Sequence, residues 1–323
     1  MAAIGAAAAT RARRAERGRL GVHELEQVRP WRVVADVARC YGLIGLAFVI
    51  LALFDTWWAA VLAFLTIGTQ QYALALLEHD AKHGLLMRSR ALNDLFAQLL
   101  ICAPLGVDID LAGATVRHRA HHRWLGTELD PIRRKYVARD KATRFRYAWF
   151  LSGLPAVAED IGYACRLPAP LPATRRGRAW RLLRRWAPVI GAQVAIGAVL
   201  SHALAWWYYP VFWLTPIVVL VFVPSKLRTF CDHGVAMLPD AAADPHRLIS
   251  YTPGPLERLF ISPMAMHYHA EHHLFPSVPY YNLPALNRRM AAGGYELEVR
   301  RSYLGFLWTY FRSLPLRPVS PAP

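Results

Sequence analysis

Nine of the 13 histidines in this 323-residue chain fall in four places. EHDAKH supplies His79 and His83, RHRAHH supplies His118, His121 and His122, CDHG supplies His233, and HAEHHLFP (269–276) supplies His269, His272 and His273. Spacings of i, i+4 and of i, i+3, i+4 place the members of each set on one face of a helix. Neutral imidazole is the commonest transition-metal ligand, so faces of this kind, brought together, could cage ions. Eight or nine nitrogens exceed the roughly four to six donors that one ion takes, and they fit two. Structural zinc recruits thiolates; Cys40, Cys102, Cys165 and Cys231 form no CxxC pair, and they are expected to be buried, reduced thiols. An imidazole-rich set without thiolates suits iron best. HDAKH is not the zinc-protease HExxH, since its second position is aspartate. The carboxylates Asp80, Glu128, Asp130, Asp232 and Glu271 are candidates to accept the other ring N–H and fix each tautomer. Glu128 and Asp130 could equally cap a turn before Pro131. One box alone would be weak evidence, because a single HxxxH is more often a surface or packed pair. Three boxes, each close to an apolar run, carry the reading.

Those runs must position the boxes. The chain is 55% hydrophobic with 11 tryptophans, above the roughly 45–50% apolar content of soluble domains. The excess is gathered into stretches near the ~20 residues that cross a bilayer as a helix. Four spans are expected, at about 33–54, 57–77, 186–207 and 209–223; the last contains Pro210 and Pro216 and is the shortest. Leu95–Val107 is too short to cross and reads as a half-embedded or packed helix. Arg175–Trp186, with arginines alternating with Trp180, Leu182 and Leu183, reads as an interfacial amphipathic helix, and PAPLPAT at 168–174 as a linker. The fold class is therefore an all-α membrane protein, four transmembrane helices with a helical cap holding a histidine-ligated dimetal site. Residues 1–32 are expected to be a mobile tail and 291–323 a terminal segment, both cytosolic. The alanine tract precedes the arginines, the reverse of a secretory signal.

Lysine and arginine crowd the segments before the first span, between the second and third, and after the fourth, while the two short connections carry none. By the positive-inside rule, both termini and every histidine box face the cytoplasm. The net charge of +16 suits anionic lipid headgroups or an acidic protein partner; with membrane spans present, nucleic acid is not expected.

EHDAKHGLL, NDLFAQLLICAPLGV, HRAHHRWLGTELDP, RTFCDHG and YHAEHHLFPSVPYYNLPAL together resemble the integral-membrane fatty acid desaturases, over about residues 35–290, and the third box with its trailer is most similar to the bacterial branch. The resemblance implies a four-helix membrane stalk, a cytosolic cap and two iron ions held by His79, His83, His118, His121, His122, His233, His269, His272 and His273, with the bacterial inner membrane as location. Two positions depart from the family pattern. His267 stands where asparagine is usual and could be a ligand, a donor behind the ligands or a neutral replacement. Asp232 stands where glutamate commonly precedes the fourth-site histidine, shortening an orienting contact. A histidine at the start of the third box, where front-end desaturases have glutamine, disfavours that branch.

The implied reaction is oxygen-dependent: dioxygen as co-substrate takes two electrons from a donor and two from an acyl chain, leaving a cis double bond and water. No GxGxxG or fused haem signature is present, so the donor is expected to be a separate ferredoxin-like protein or small cytochrome steered by the basic face. The substrate is expected to be an acyl lipid or other acyl carrier, and YALALL and WFLSGLP are apolar stretches that could line its path. Two rivals stay open: a lipid or carotenoid hydroxylase or ketolase bearing the same boxes, and a metal transporter or receptor. Transporters place polar ligands near the bilayer midplane, whereas these boxes lie outside the spans.

Overall fold

The apolar runs set the architecture. The computed structural model describes residues 17–107, 110–136, 143–155, 158, 162, 174–234 and 248–316. Four of its helices are long and apolar enough to cross a bilayer: α1 (Pro30–Leu53), α2 (Trp57–His83), α4 (Arg175–Ala203) and α5 (Tyr209–His233). A shorter helix, α3 (Leu111–Trp124), lies between the second and third of these. Pro30 opens α1, where a proline costs no intrahelical hydrogen bond. Its buried residues Val33, Val37, Cys40, Ile44, Ala47 and Leu51 step by four and three, one stripe facing α2. From Ile67 to Leu77 every residue of α2 except Ala75 is buried, making it the central helix. Gly68 lets α5 approach, for a Cβ there would collide with Leu220. Just beyond, Gln71 Nε2 donates to the Trp213 carbonyl at 3.1 Å.

Three expectations change. First, α2 runs past Leu77 to His83, so the first box rides on a membrane helix. Gly84 (φ +78) ends it: Gly84 N donates to Ala81 O and Leu85 N to Asp80 O, the paired bonds of a Schellman stop. Secondly, Arg175–Trp186 is the start of α4, not a separate interfacial helix. The change from basic to apolar runs along the axis of one helix crossing an interface, which local amphipathicity does not distinguish. Thirdly, α5 continues ten residues beyond Val223. Its prolines are absorbed by wide π turns at Tyr209–Leu214 and Ile217–Phe222, in which an extra residue per turn accommodates a missing N–H. Residues 90–105 form a packed helix with a π segment at Gln98–Cys102, and Gln193 of α4 donates to Pro104 O at 2.7 Å.

The cap comprises α6 (His269–Leu274), α7 (Leu283–Ala292), α8 (Tyr303–Ser313) and several shorter turns. The β structure among the described residues is one parallel pair, β1 (Ile249–Tyr251) and β2 (Glu298–Arg300), registered Ser250 to Val299. Residues 1–16 of the expected tail, residues 168–173 of the linker, residues 317–323 and Cys165 lie outside the described residues. Residues 17–29 do not behave as a mobile tail. Leu20, Val22 and Leu25 are buried against Phe275, Val278, Leu283 and Leu286, and Asn282 Nδ2 donates to Leu25 O at 2.7 Å. The third box and its trailer thus gain a floor from the opposite end of the chain. Cys40, Cys102 and Cys231 are buried free thiols.

Candidate metal centre

Four elements deliver nine imidazoles to one place: the last turns of α2, the second half of α3, the end of α5 and all of α6. The ring nitrogens fall into two groups. One nitrogen each from His79, His83, His118, His122 and His272 lie within 4.8 Å of one another, and so do those of His121, His233 and His273. His269 borders the smaller group, its Nε2 lying 3.4 Å from that of His233. In the larger group the Nε2 atoms of His83 and His118 are 2.7 Å apart, those of His118 and His122 3.1 Å, and those of His122 and His272 3.2 Å. In the smaller group His121 and His233 approach to 2.9 Å, again through Nε2.

These separations test whether a metal fits. Nitrogens about 2.0–2.1 Å from a common ion lie roughly 2.9 Å apart at right angles and 3.4 Å apart in a tetrahedron, and these pairs all fall in that interval except His83–His118, which at 2.7 Å is slightly closer. Tautomers give a sharper test. His233 Nδ1 lies 2.7 Å from the Thr229 carbonyl, which can only accept, so the proton is on Nδ1. His121 Nδ1 lies 2.8 Å from the Asp130 carboxylate and donates in the same way. With Nδ1 carrying the single proton of each ring, both Nε2 atoms would present bare lone pairs to each other across 2.9 Å. That arrangement repels unless a cation lies between them, so the donor set fits a metal.

Burial favours the neutral form of the rings around them. Burial first, and neighbouring imidazoles second, hold His118, His269, His272 and His273 well below the ordinary histidine value. Burial, then His83, lowers His122 to about 2. Burial pushes the Asp130 carboxyl up, but hydrogen bonds from His121 and Tyr136 outweigh it and leave Asp130 below its usual value.

The supporting residues divide. Asp130 accepts from His121 and, through its other oxygen, caps Ile132 N at 3.0 Å. Asp80 accepts from Tyr280 N at 2.8 Å and comes no closer than 3.8 Å to His79 Nδ1. Asp232 is ion-paired with Arg228 at 2.5 Å, and its nearest imidazole nitrogen, His269 Nδ1, is 3.6 Å away, beyond hydrogen-bond reach. Glu271, expected to orient an imidazole, instead accepts from Ser250 and, at 2.5 Å, from Asn287. On α6 it points away from the histidine face and fixes the helix to β1 and α7; burial raises its carboxyl. Glu128 faces solvent and pairs with Arg133 at 2.8 Å. His267 belongs to neither nitrogen group; it is buried, and that burial, then Arg258, lowers it to about 4. The turn before it holds Met264 and Ala265 at φ 54 and 57, a left-handed reversal costing about 1–2 kcal/mol per residue that turns the chain into α6.

Several contributors lie outside the histidine boxes. Tyr136 accepts from Gly126 N at 3.0 Å, donates to Asp130 and stacks on His233. Arg228 neutralises buried Asp232. Ser250 Oγ accepts from Ala270 N at 3.0 Å, anchoring α6. Two hints precede the structure: Arg228 stands four residues before Asp232 on one helix, and Tyr136 follows the ELDP turn at short range.

A cavity of about 390 Å³ opens beside the histidines, within the roughly 300–1,000 Å³ of small-molecule sites. Ala75 and Leu76 of α2 and Val218, Val221 and Phe222 of α5 form its apolar wall; His79, His118, His121, His233, His269 and His273 form its polar end. YALALL thus contributes to the wall. WFLSGLP is absent from this lining, and its Phe150 and Leu151 pack in a separate cluster around Phe230.

With that geometry in place, the comparisons are specific. The sequence profile of the fatty acid desaturase family matches residues 55–305. The chain is 23% identical over 256 residues to an sn-1 acyl-lipid omega-3 desaturase (ferredoxin) of Nostoc sp. (strain 36), covering 75% of this chain and 70% of that protein. It is 28% identical over 288 residues to the human sphingolipid delta(4)-desaturase/C4-monooxygenase, covering 86% and 77%. It is also 28% identical over 228 residues to a beta-carotene ketolase of Paracoccus sp., covering 70% and 78%. The chain is a member of the fatty acid desaturase family, a membrane oxidoreductase with a histidine cluster able to hold metal.

Proposed function

We propose that the protein is an oxygen-dependent desaturase that introduces a cis double bond into an acyl lipid or carrier-bound acyl chain at a two-iron centre. One observation carries the reading: histidines of both nitrogen groups line one cavity, to which two membrane helices also contribute apolar side chains among charged ones such as Lys82, Arg117 and Lys226. The proposed ligands are His79, His83, His118, His122 and His272 for one ion and His121, His233, His273 and the bordering His269 for the other. When bound, the irons would supply activation of dioxygen, which no side chain provides. The chain's own residues do the rest. Asp130 and the Thr229 carbonyl hold protons on Nδ1 of His121 and His233 and turn their Nε2 lone pairs inward. Leu76, Val218, Val221 and Phe222 line the cavity and would give an acyl tail an apolar contact. In balance, one –CH2–CH2– unit, dioxygen, two electrons and two protons give –CH=CH– and two waters.

The electrons come from a separate donor. The Nostoc relative's name couples that protein to ferredoxin, and a net charge of +16 suits an acidic partner. The lysine and arginine pattern of the loops supports both termini and the site facing the cytoplasm, and the proposed location is a bacterial inner membrane. A second reading, oxygenation of a lipid, is favoured by relatives named as a monooxygenase and a ketolase.

Mass-spectrometric lipid profiling of a host with and without the expressed chain, with His272→Ala as control, decides between them. New unsaturated acyl chains that vanish with His272→Ala are expected. Hydroxylated or ketonic products would establish the second reading, and unchanged product with His272→Ala would overturn the site.

A further inference from the structure

Both nitrogen groups contain a histidine from α6, but they are supported differently. In the larger group Nδ1 of His79, His122 and His272 has no hydrogen-bond partner among the described residues. In the smaller group two rings are braced before any ion arrives, and one side chain braces both. Tyr136 lies six residues beyond Asp130 and is fully buried. Its hydroxyl accepts from Gly126 N at 3.0 Å and donates to Asp130 Oδ2. That same oxygen accepts the hydrogen bond from His121 Nδ1 at 2.8 Å. The phenol ring lies flat against His233, centroids 4.5 Å apart and planes 14° from parallel. His121 and His233 are 112 residues apart in the chain, yet their Nε2 atoms meet at 2.9 Å.

We propose that Tyr136 is a positioning residue that sets the ligand geometry of the smaller nitrogen group, acting on His121 through Asp130 and on His233 through its ring. The inference rests on the reading of these histidines as metal ligands. The hydroxyl restrains the Asp130 carboxylate oxygen that accepts from His121. It also ties Gly126, hence the turn carrying Asp130, to the residue that packs on His233. A tyrosine serving only as core filler would work through its ring, and phenylalanine would replace it without effect on the ions. Through the hydroxyl, loss of a partner that orients a ligand lowers metal affinity by about 10–100-fold.

The test uses the full chain purified in detergent and loaded anaerobically with Fe(II), with metal content by mass spectrometry and affinity by chelator competition. The wild type is expected to hold two ions. Tyr136→Phe is expected to keep one at wild-type affinity, which also reports an intact fold, and to release the other at least about tenfold more readily. Tyr136→Leu, which loses the stack as well, is expected to release it more readily still. Cobalt(II) substitution should show the change in the visible bands of one site only. Two ions held by Tyr136→Phe at wild-type affinity, or equal weakening of both, would overturn the proposal. A wild-type chain that takes up no ion would instead strike the ligand reading itself, and this inference with it.

Discussion

Acidifying the metal-free protein should unfasten its cap. Six imidazoles outside the membrane helices, His118, His122, His267, His269, His272 and His273, are held below the ordinary histidine value, His122 at about 2 and His267 at about 4. Each returns to about 6.5 when exposed in the opened chain. Between the folded and the exposed value the open state binds more protons, so stability is complete above about pH 7 and falls as pH drops through 6.5. One such group costs about 1.4 kcal/mol at pH 5.5 and a further ~1.4 for each unit below. Six acting fully would remove about 8 kcal/mol, comparable with the ~5–15 kcal/mol that holds a typical domain together. Opening that exposes only two would still cost ~3 kcal/mol. Hydrogen exchange of α3 and α6 in nanodiscs, from pH 8 to pH 5 and corrected for intrinsic rates, measures the loss directly. Protection should be level from pH 8 to 7 and then decline with a slope of more than one proton. Equal protection at pH 5 and pH 8 would mean that these rings are solvated or charged in place, and the caged-nitrogen argument would fail.

Two substitutions probe the elements that carry the first box. Gly68→Val should destabilise the chain by about 1–3 kcal/mol through overpacking against Leu220, with Leu220→Ala restoring it; a parent-like melting temperature for Gly68→Val would deny the close approach of α2 and α5. Asn93, fully buried, donates to Ala81 O at 2.9 Å and accepts from Leu86 N at 3.0 Å, so Asn93→Ala should cost about 1–3 kcal/mol. Because Ala81 lies between His79 and His83, metal titration of Asn93→Ala should show weakening in the five-nitrogen group and not in the other.

The histidine boxes were legible because neither packing nor solvation accounts for imidazoles repeated at helical spacing beside apolar runs, and a helix face follows from spacing alone. The four long helices were legible for the same local reason. Where each one stopped was not: α2 and α5 keep their backbone geometry after their composition turns polar, so hydropathy ends earlier than the helix. The supports of the site were least legible. Glu271 and Asp130 look alike in sequence, both next to a box or just beyond it. Only the angle at which α6 docks on Ser250 sends Glu271 away from the rings, while the turn at Gly126 sends Asp130 toward them. Tyr136 and Asn93 act across contacts that no spacing encodes, whereas Arg228 meets Asp232 at the i, i+4 spacing of one helix. Leu20, Val22 and Leu25 read as part of a basic tail because their partners in the trailer come some 250 residues later.

The order in which the chain is made gives the centre a consequence of its own. His122 and His272, 3.2 Å apart in space, are separated by 150 residues, and each nitrogen group needs a ring from α6. Translation must therefore pass His273, after all four membrane helices have left the ribosome, before either cage can close. On the proposed reading, ion uptake would be a finishing step performed on inserted protein. Cells short of metal would accumulate complete but empty chains in the bilayer, ready to be charged when supply returns, with no new synthesis required.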